Sequence, residues 1–310
     1  MRVRASVVLL VAALGCGKKP AGNGQGSGSS GSSTVPPPAE AAVAAPAEAG
    51  VSPPAAPPAA KLRAVLDKQV AALPDKSADL LATFGKDAVA LTPEIVTVTP
   101  DYTDMGHDIA VMNPHSTFVS AKVTSFHAGG TDKAAWLAAE LEIVTKSGEP
   151  GEKPSQDTRT IRTIELLDGA QDWKVVAASF AEVKPMERRD SAPKVEGATD
   201  GGPLAKLVVA PADLAAAFAS DPNVAVFGTD PDEHAFGGDA KTLLGTWSKL
   251  ALAVEPGAVR EVRTAGYGYV AADINLTSGT GHPYRLTALL LAVPGANGAW
   301  TPVALHFAPL

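Results

Sequence analysis

Tyr269-Val-Ala-Ala-Asp-Ile-Asn-Leu276 lies over Trp136-Leu-Ala-Ala-Glu-Leu-Glu-Ile143 almost residue for residue, and this echo decides the fold. Each segment opens on an aromatic residue, passes through two small residues and reaches an acid. Downstream, Trp300-Thr-Pro-Val-Ala-Leu-His-Phe307 lies over Trp173-Lys-Val-Val-Ala-Ala-Ser-Phe180. Between them sit two Arg-bearing apolar strands, Tyr284–Leu291 in one copy and Thr160–Leu167 in the other. Chance rarely repeats such a set in one order, so the chain carries two copies of one domain, the second better preserved in its spacing.

Outward from this core, each copy reads as helices followed by strands. Leu62, Val65, Leu66, Val70 and Leu73 recur at helical spacing over Lys61–Leu73, and Pro74 stops that helix. A second helix from about Ser77 points Leu80, Leu81 and Phe84 inward. Asp87–Leu91 and Ile95–Thr99 read as a hairpin. Gly106-His-Asp108 opens a short helix with Asp108 as a plausible N-cap. Strands are expected at Phe118–Phe126, Trp136–Thr145, Thr158–Leu167 and Trp173–Phe180, with the polar insertion Gly148–Gln156 between two of them. The second copy restarts at Leu204–Val209, with a helix at Ala212–Ala219 and a short strand at Val224–Phe227. A further helix is opened by Gly237-Gly-Asp239, with Asp239 as its expected N-cap. Strands at Val259–Ala265, Tyr267–Thr277, Tyr284–Val293 and Trp300–Phe307 complete it. The class is α+β: two tandem domains, each of helices followed by a curved antiparallel sheet, behind a disordered N-terminal tether.

Composition agrees. With 310 residues and 45% apolar content, two domains of about 100–130 residues can each bury a core. A net charge of −7 without a clustered basic surface argues against nucleic acid. The single cysteine, Cys16, follows Met1-Arg-Val-Arg4 and the apolar run Ala5–Leu14, which is too short to span a bilayer. This resembles a bacterial lipoprotein signal, except that Ala13 stands where that family prefers Leu. The resemblance implies lipidation at Cys16, a membrane held by that lipid anchor and a place in the cell envelope. The alternative is an ordinary secretory signal or a buried thiol. Residues 1–16 are then signal and anchor, 17–60 a Gly/Ser then Pro/Ala-rich linker, 61–184 the first domain, 185–203 a linker and 204–310 the second domain.

Helices followed by a meander ending in Trp-x6-Phe resemble the nuclear-transport-factor-2-like superfamily, and the second copy looks closest to its SnoaL-like branch. The residues that carry this are Val226-Phe-Gly-Thr-Asp230 with Glu233, Gly237-Gly-Asp-Ala240, Trp247, Tyr269-Val-Ala-Ala-Asp273, Arg285-x-Thr287 and His306-Phe307. The first copy keeps Gly106-His-Asp108, Trp136–Glu140, Arg162-Thr163 and Trp173. It has Ser179 where the second has His306, and it lacks the Phe-Gly-Thr-Asp turn, which puts its pocket in doubt. The resemblance implies cone-shaped domains, helices packed into a concave sheet, with an apolar cavity open at one end, in a superfamily with isomerases, cyclases, dehydratases and many members without chemistry. It also implies pairing through the open sheet face, here between the two copies of one chain. Fold alone does not choose among these functions.

Strand parity puts Tyr267, Tyr269, Asp273 and Asn275 on one face, Arg285 and Thr287 on one face, and His306 on the face of Trp300. If those faces are concave, Tyr269, Asp273, Arg285 and His306 converge on a ligand pocket, with Arg285 clamping an anion and Asp273 or His306 moving a proton. If they are convex, they are solvated or paired at an interface, with Asp273 bridged to Arg285. A ketosteroid-isomerase-type site needs a second acid in an apolar setting, and none is recognisable. Asp230-Pro-Asp-Glu-His234 clusters acids and a His, but its spacing fits no metal loop, and it reads as a solvated turn. No metal and no cofactor is expected. The reading is a non-catalytic module binding a small apolar or anionic ligand or a partner protein. The alternative is a small isomerase, dehydratase or cyclase with Asp273 or His306 as base and Tyr269 assisting.

Overall fold

The structure, a computed structural model, describes residues 59–73, 76–92, 95–99, 106, 109, 116–148, 153–184, 201–249, 253–277, 283–295 and 298–309. Cys16, the linker to residue 58, Asp108 and most of the interdomain linker lie outside them. Helix α1 (Ala59–Ala72) buries Leu62 and Leu66, and the five-residue α2 (Ser77–Leu81) buries Leu80. Phe84 does not continue α2. It opens strand β1 (Phe84–Leu91), which pairs antiparallel with β2 (Ile95–Thr97) as the expected hairpin. The long strands β3 (Ser116–Gly130), β4 (Ala134–Ser147), β5 (Ser155–Asp168) and β6 (Lys174–Glu182) follow.

The second half repeats this plan. Helices α3 (Pro203–Val208) and α4 (Pro211–Ala217) lead into short strands β7 (Ala225–Phe227) and β8 (His234–Phe236), and helix α5 (Gly238–Trp247) follows. Asp239 does not cap α5. The N-cap is Gly237, whose φ of 56° lies in the left-handed region that glycine enters without penalty, and Asp239 sits in the first turn. Strands β9 (Ala253–Arg263), β10 (Gly268–Thr277), β11 (Pro283–Pro294) and β12 (Trp300–Pro309) finish the chain.

The sheet orders are β2-β1-β6-β5-β4-β3 and β8-β7-β12-β11-β10-β9, the same order shifted by six strands. Both sheets are antiparallel except at one place, where β1 runs parallel to β6 and β7 runs parallel to β12. Several strands of the same sheet intervene in the chain between β1 and β6 and between β7 and β12, and a long connection of this kind is what a parallel pair requires.

Register corrects two alignments read from the sequence. Glu140 pairs with Arg162, and Asp273 pairs with Thr287. The position matching Arg162 is therefore Thr287, and Arg285 matches Thr160, one residue away from the sequence overlay. A slip of one residue moves a side chain to the other face of a sheet. In addition, β12 carries a bulge where Leu291 pairs with Ala304 but Ala292 with Pro302. The bulge places Trp300 and His306 on opposite faces, although they are six residues apart. Strand β6 carries the matching bulge opposite Leu166 and Leu167.

Each sheet turns one face to its own helices. In the first, Leu137, Ala139, Leu141, Ile161 and Phe180 pack with Leu62, Leu66 and Leu80. In the second, Val270, Ala272, Ile274, Ala288 and Leu290 alternate onto the helix side. There, Trp247 of α5 tilts against Phe307 at 5.6 Å between ring centroids. The other face of the first sheet, carrying Trp136, Ala138, Ile164 and Leu166, joins the core of the second half. Trp136 lies across Gly129, where an added Cβ would come within 2.3 Å of the indole. Gly129→Ala is therefore expected to cost roughly 1–3 kcal/mol, the usual penalty for overpacking, measurable by urea unfolding.

Candidate functional site

Tyr269, Asp273, Thr287 and Leu289 share one face of the second sheet with His306, since Asp273 pairs with Thr287 and Leu289 with His306. Arg285 is on the same face, paired with Asn275 and half-buried. The shared face expected from parity is thus real, but it looks toward the first sheet and away from the helices. Arg260 lies on it opposite Ala271, and its Nη1 donates to Thr97 Oγ1 of β2 at 2.7 Å. Asp273 and His306 are only 2% and 1% exposed, because that neighbouring sheet covers them. The helix-side face of the second sheet carries Val270, Ala272, Ile274, Ala288, Leu290 and Leu305, and on β9 Glu261, whose Oε2 accepts from Ala205 N at 2.9 Å and whose Oε1 lies 3.0 Å from Arg263 Nε.

Burial sets the protonation states here. Desolvation pushes the Asp273 carboxyl up, opposed by the positive charge of Arg285. Desolvation first and the nearby Arg162 charge second push the His306 imidazole down to about 3. His306 is therefore neutral at ordinary pH, and its ring meets Phe227 edge-on at 5.6 Å. His306 Nδ1, Asp273 Oδ1 and Ser179 Oγ have no hydrogen-bond partner among the described residues. Tyr269 is pushed up mainly by desolvation, with Arg260 opposing.

The densest polar knot was not foreseen from sequence. Arg162, 2% exposed, projects from β5 into the turn that follows β7. Its Nε donates to Glu140 Oε1 at 3.1 Å. Its Nη1 faces the carbonyls of Gly228, Asp230 and Glu233 at 3.2, 2.8 and 3.2 Å. Its Nη2 donates to Pro231 O at 2.6 Å and to His234 Nδ1 at 2.9 Å. The guanidinium also lies 5.4 Å from the centre of the Phe227 ring. The acids and His of Asp230–His234 thus do not assemble a metal site. The turn offers its backbone carbonyls to a cation from the other half, while Glu233 Oε2 accepts from the N–H groups of Thr229 and Asp230 and keeps the turn closed. Planar geometry and five donors suit Arg to such a cradle. Three more contacts join the halves: His127 stacks on Phe236 at 3.7 Å, Trp136 Nε1 donates to Asn223 O at 3.4 Å, and Tyr267 bonds Asp168.

A second cluster lies under the helices of the first half, the copy whose pocket the sequence put in doubt. Glu165, fully buried on β5, accepts from Gln69 Nε2 of α1 at 3.2 Å. The same nitrogen donates to Thr83 Oγ1 at 3.2 Å, and Thr83 Oγ1 in turn donates to Leu80 O at 2.7 Å. Desolvation raises the Glu165 carboxyl to about 8, with the Gln69 and Thr163 bonds opposing, so it holds its proton at neutral pH. In the sequence Glu165 stands next to Ile164, Leu166 and Leu167 with no motif around it. The available signal was its parity with Ile161, Thr163 and Leu167, which places it on the helix side.

No protein-family model and no curated protein matches the chain. Solved structures do align with it. An NTF2-like protein of unknown function from Pseudomonas putida is 11% identical over 34% of this chain and 82% of its own, with a TM-score of 0.29. A ketosteroid isomerase-like protein from Erwinia carotovora atroseptica is 14% identical over 41% of this chain and 96% of its own, at 0.32. A protein of unknown function with a cystatin-like fold from Nostoc punctiforme is 12% identical over 34% of this chain and 86% of its own, at 0.28.

Proposed function

We propose that this chain is a cell-envelope lipoprotein whose two SnoaL-like domains form a non-catalytic binding module, the pairing of the two sheets standing in for the dimer of single-domain relatives. What carries this reading is the position of the candidate bases. Asp273 and His306 lie on the sheet face covered by the first half, and on the helix-side face of the second sheet the acid Glu261 is held by the Ala205 N–H and by Arg263. A base must reach the proton that it abstracts, and a residue sealed between two sheets does not. The second half then serves as a scaffold, and a small ligand binds on the first half. Native mass spectrometry of the gently extracted full chain tests this. A bound small molecule that co-purifies unchanged is expected, and conversion of that molecule on incubation would sink the reading.

One observation favours the enzyme alternative: Glu165 is a protonated acid held by Gln69 under the helices of the first half. A neutral acid can donate to a developing oxyanion. Glu165→Gln separates the two readings. Ligand retention survives it in a binding module, whereas any turnover that depends on that donor falls.

Anchoring rests on Cys16 and its flanks. Cys16→Ser is expected to move the protein from the detergent phase to the aqueous phase in Triton X-114 partitioning. Equal partitioning of variant and wild type would remove the lipid anchor.

A further inference from the structure

In the first half, the C-terminal part of α1, the short α2 and the turn before β6 line an open pocket of about 430 Å3. Thr83 lies between this pocket and the Glu165 cluster, lining the first and bonding Gln69 of the second. One wall is Trp173, which with Asp172 has a positive φ, 61° and 56°. A bulky side chain enters that region only under local compulsion. The turn supplies it: Asp168 accepts from Ala170 N and Gln171 Nε2 through its carboxylate and from Trp173 N through its carbonyl. The strained turn holds the indole at the pocket instead of letting β6 begin one residue earlier.

Three lysines, Lys68, Lys76 and Lys174, line the same space. Lys174 Nζ donates to the Ala82 carbonyl, while the side chains of Lys68 and Lys76 are exposed and make no hydrogen bond or ion pair among the described residues. Asp79 and Asp172 are the acids present, and Val65 and Ala71 give apolar surface. The geometry points to a binding site for a small organic anion with a flat apolar body. The anionic group lies between Lys68 and Lys76, the body against Trp173, and a hydroxyl or amine donor toward Asp79. This rests on the binding-module reading and gives it a place and a ligand class. A free carboxylate or phosphate and a lipid headgroup share this chemistry.

Isothermal titration of the full chain tests the site, with 1-naphthoate as probe and 1-naphthalenemethanol as its neutral counterpart. Saturable one-to-one binding of 1-naphthoate is expected, tighter than that of the alcohol. The double variant Lys68→Gln/Lys76→Gln, which alters only exposed side chains, should weaken it roughly five- to twentyfold, and Asp79→Asn should strengthen it roughly two- to fivefold. Absence of saturable binding, or an affinity unchanged in the double variant, overturns the proposal. Co-sedimentation with phosphatidylglycerol vesicles distinguishes the sources. Lysine-dependent sedimentation assigns the anion to a lipid, and naphthoate binding without sedimentation assigns it to a soluble molecule. Native mass spectrometry of the double variant separates this site from the wider reading. A co-purifying ligand retained there overturns the site and leaves the module standing, whereas turnover of the ligand by the wild type removes the module.

Discussion

Replacing Arg162 by Met is expected to cost roughly 3–5 kcal/mol of stability, the range for removing one partner of a buried ion pair. Single domains are stable by only about 5–15 kcal/mol, so this is a large fraction of the total. The loss has two sources. Glu140 is left without the guanidinium that neutralises it. The carbonyls of Gly228, Asp230, Pro231 and Glu233 lose the donor that holds them. Arg162→Lys should recover part of the loss, because one ammonium keeps the charge but cannot reach a whole ring of carbonyls. Glu140→Gln should cost only about 1 kcal/mol, since its side chain is partly solvated and the amide oxygen still accepts. Urea unfolding of the three variants measures this order. Equal stability of Arg162→Met and wild type would mean that the knot does not join the halves.

Stability is also expected to peak on a plateau between about pH 4.5 and 6.5 and to fall on both sides. Glu165 has a folded pKa raised from 4.5 to about 8. Its contribution is fully present below 4.5 and is lost as pH rises toward 8, because only the unfolded chain ionises in that window. His306 has a folded pKa lowered from 6.5 to about 3. Its contribution is present above 6.5 and is lost as pH falls toward 3, because only the unfolded chain takes up the proton. Between 4.5 and 6.5 the two slopes oppose each other. Each group contributes roughly 5 kcal/mol in full, but because the two cancel across the plateau each net limb amounts to only about 2 kcal/mol. Glu165→Gln keeps an acceptor for Gln69 without a charge to desolvate, so the alkaline limb should flatten while the acid limb stays. His306→Phe should do the reverse. Thermal melts from pH 3 to 9 decide this, and an alkaline limb unchanged in Glu165→Gln would reassign it to another group.

The duplication was legible because strands in both copies bury the same pattern of small and aromatic residues. Trp136 and Tyr269 do occupy matching places, as do Ser179 and His306, each of the latter pair beyond its bulge. Arg162 and Arg285 do not match, since an overlay of two apolar strands scores almost as well one residue out of step. The Glu165 cluster escaped notice because its partners Gln69 and Thr83 lie far away in the chain and are brought together only when α1 crosses the sheet.

Period-two alternation by itself determined which residues within β10, and which within β11, share a face, because alternate side chains leave a strand on opposite sides. It also determined that two such units follow one another. Only the tertiary structure decided which side meets helices and which meets the other sheet. That choice depends on surfaces supplied by distant segments, and it turns Asp273 and His306 from candidate cavity residues into buried members of a sheet-to-sheet contact.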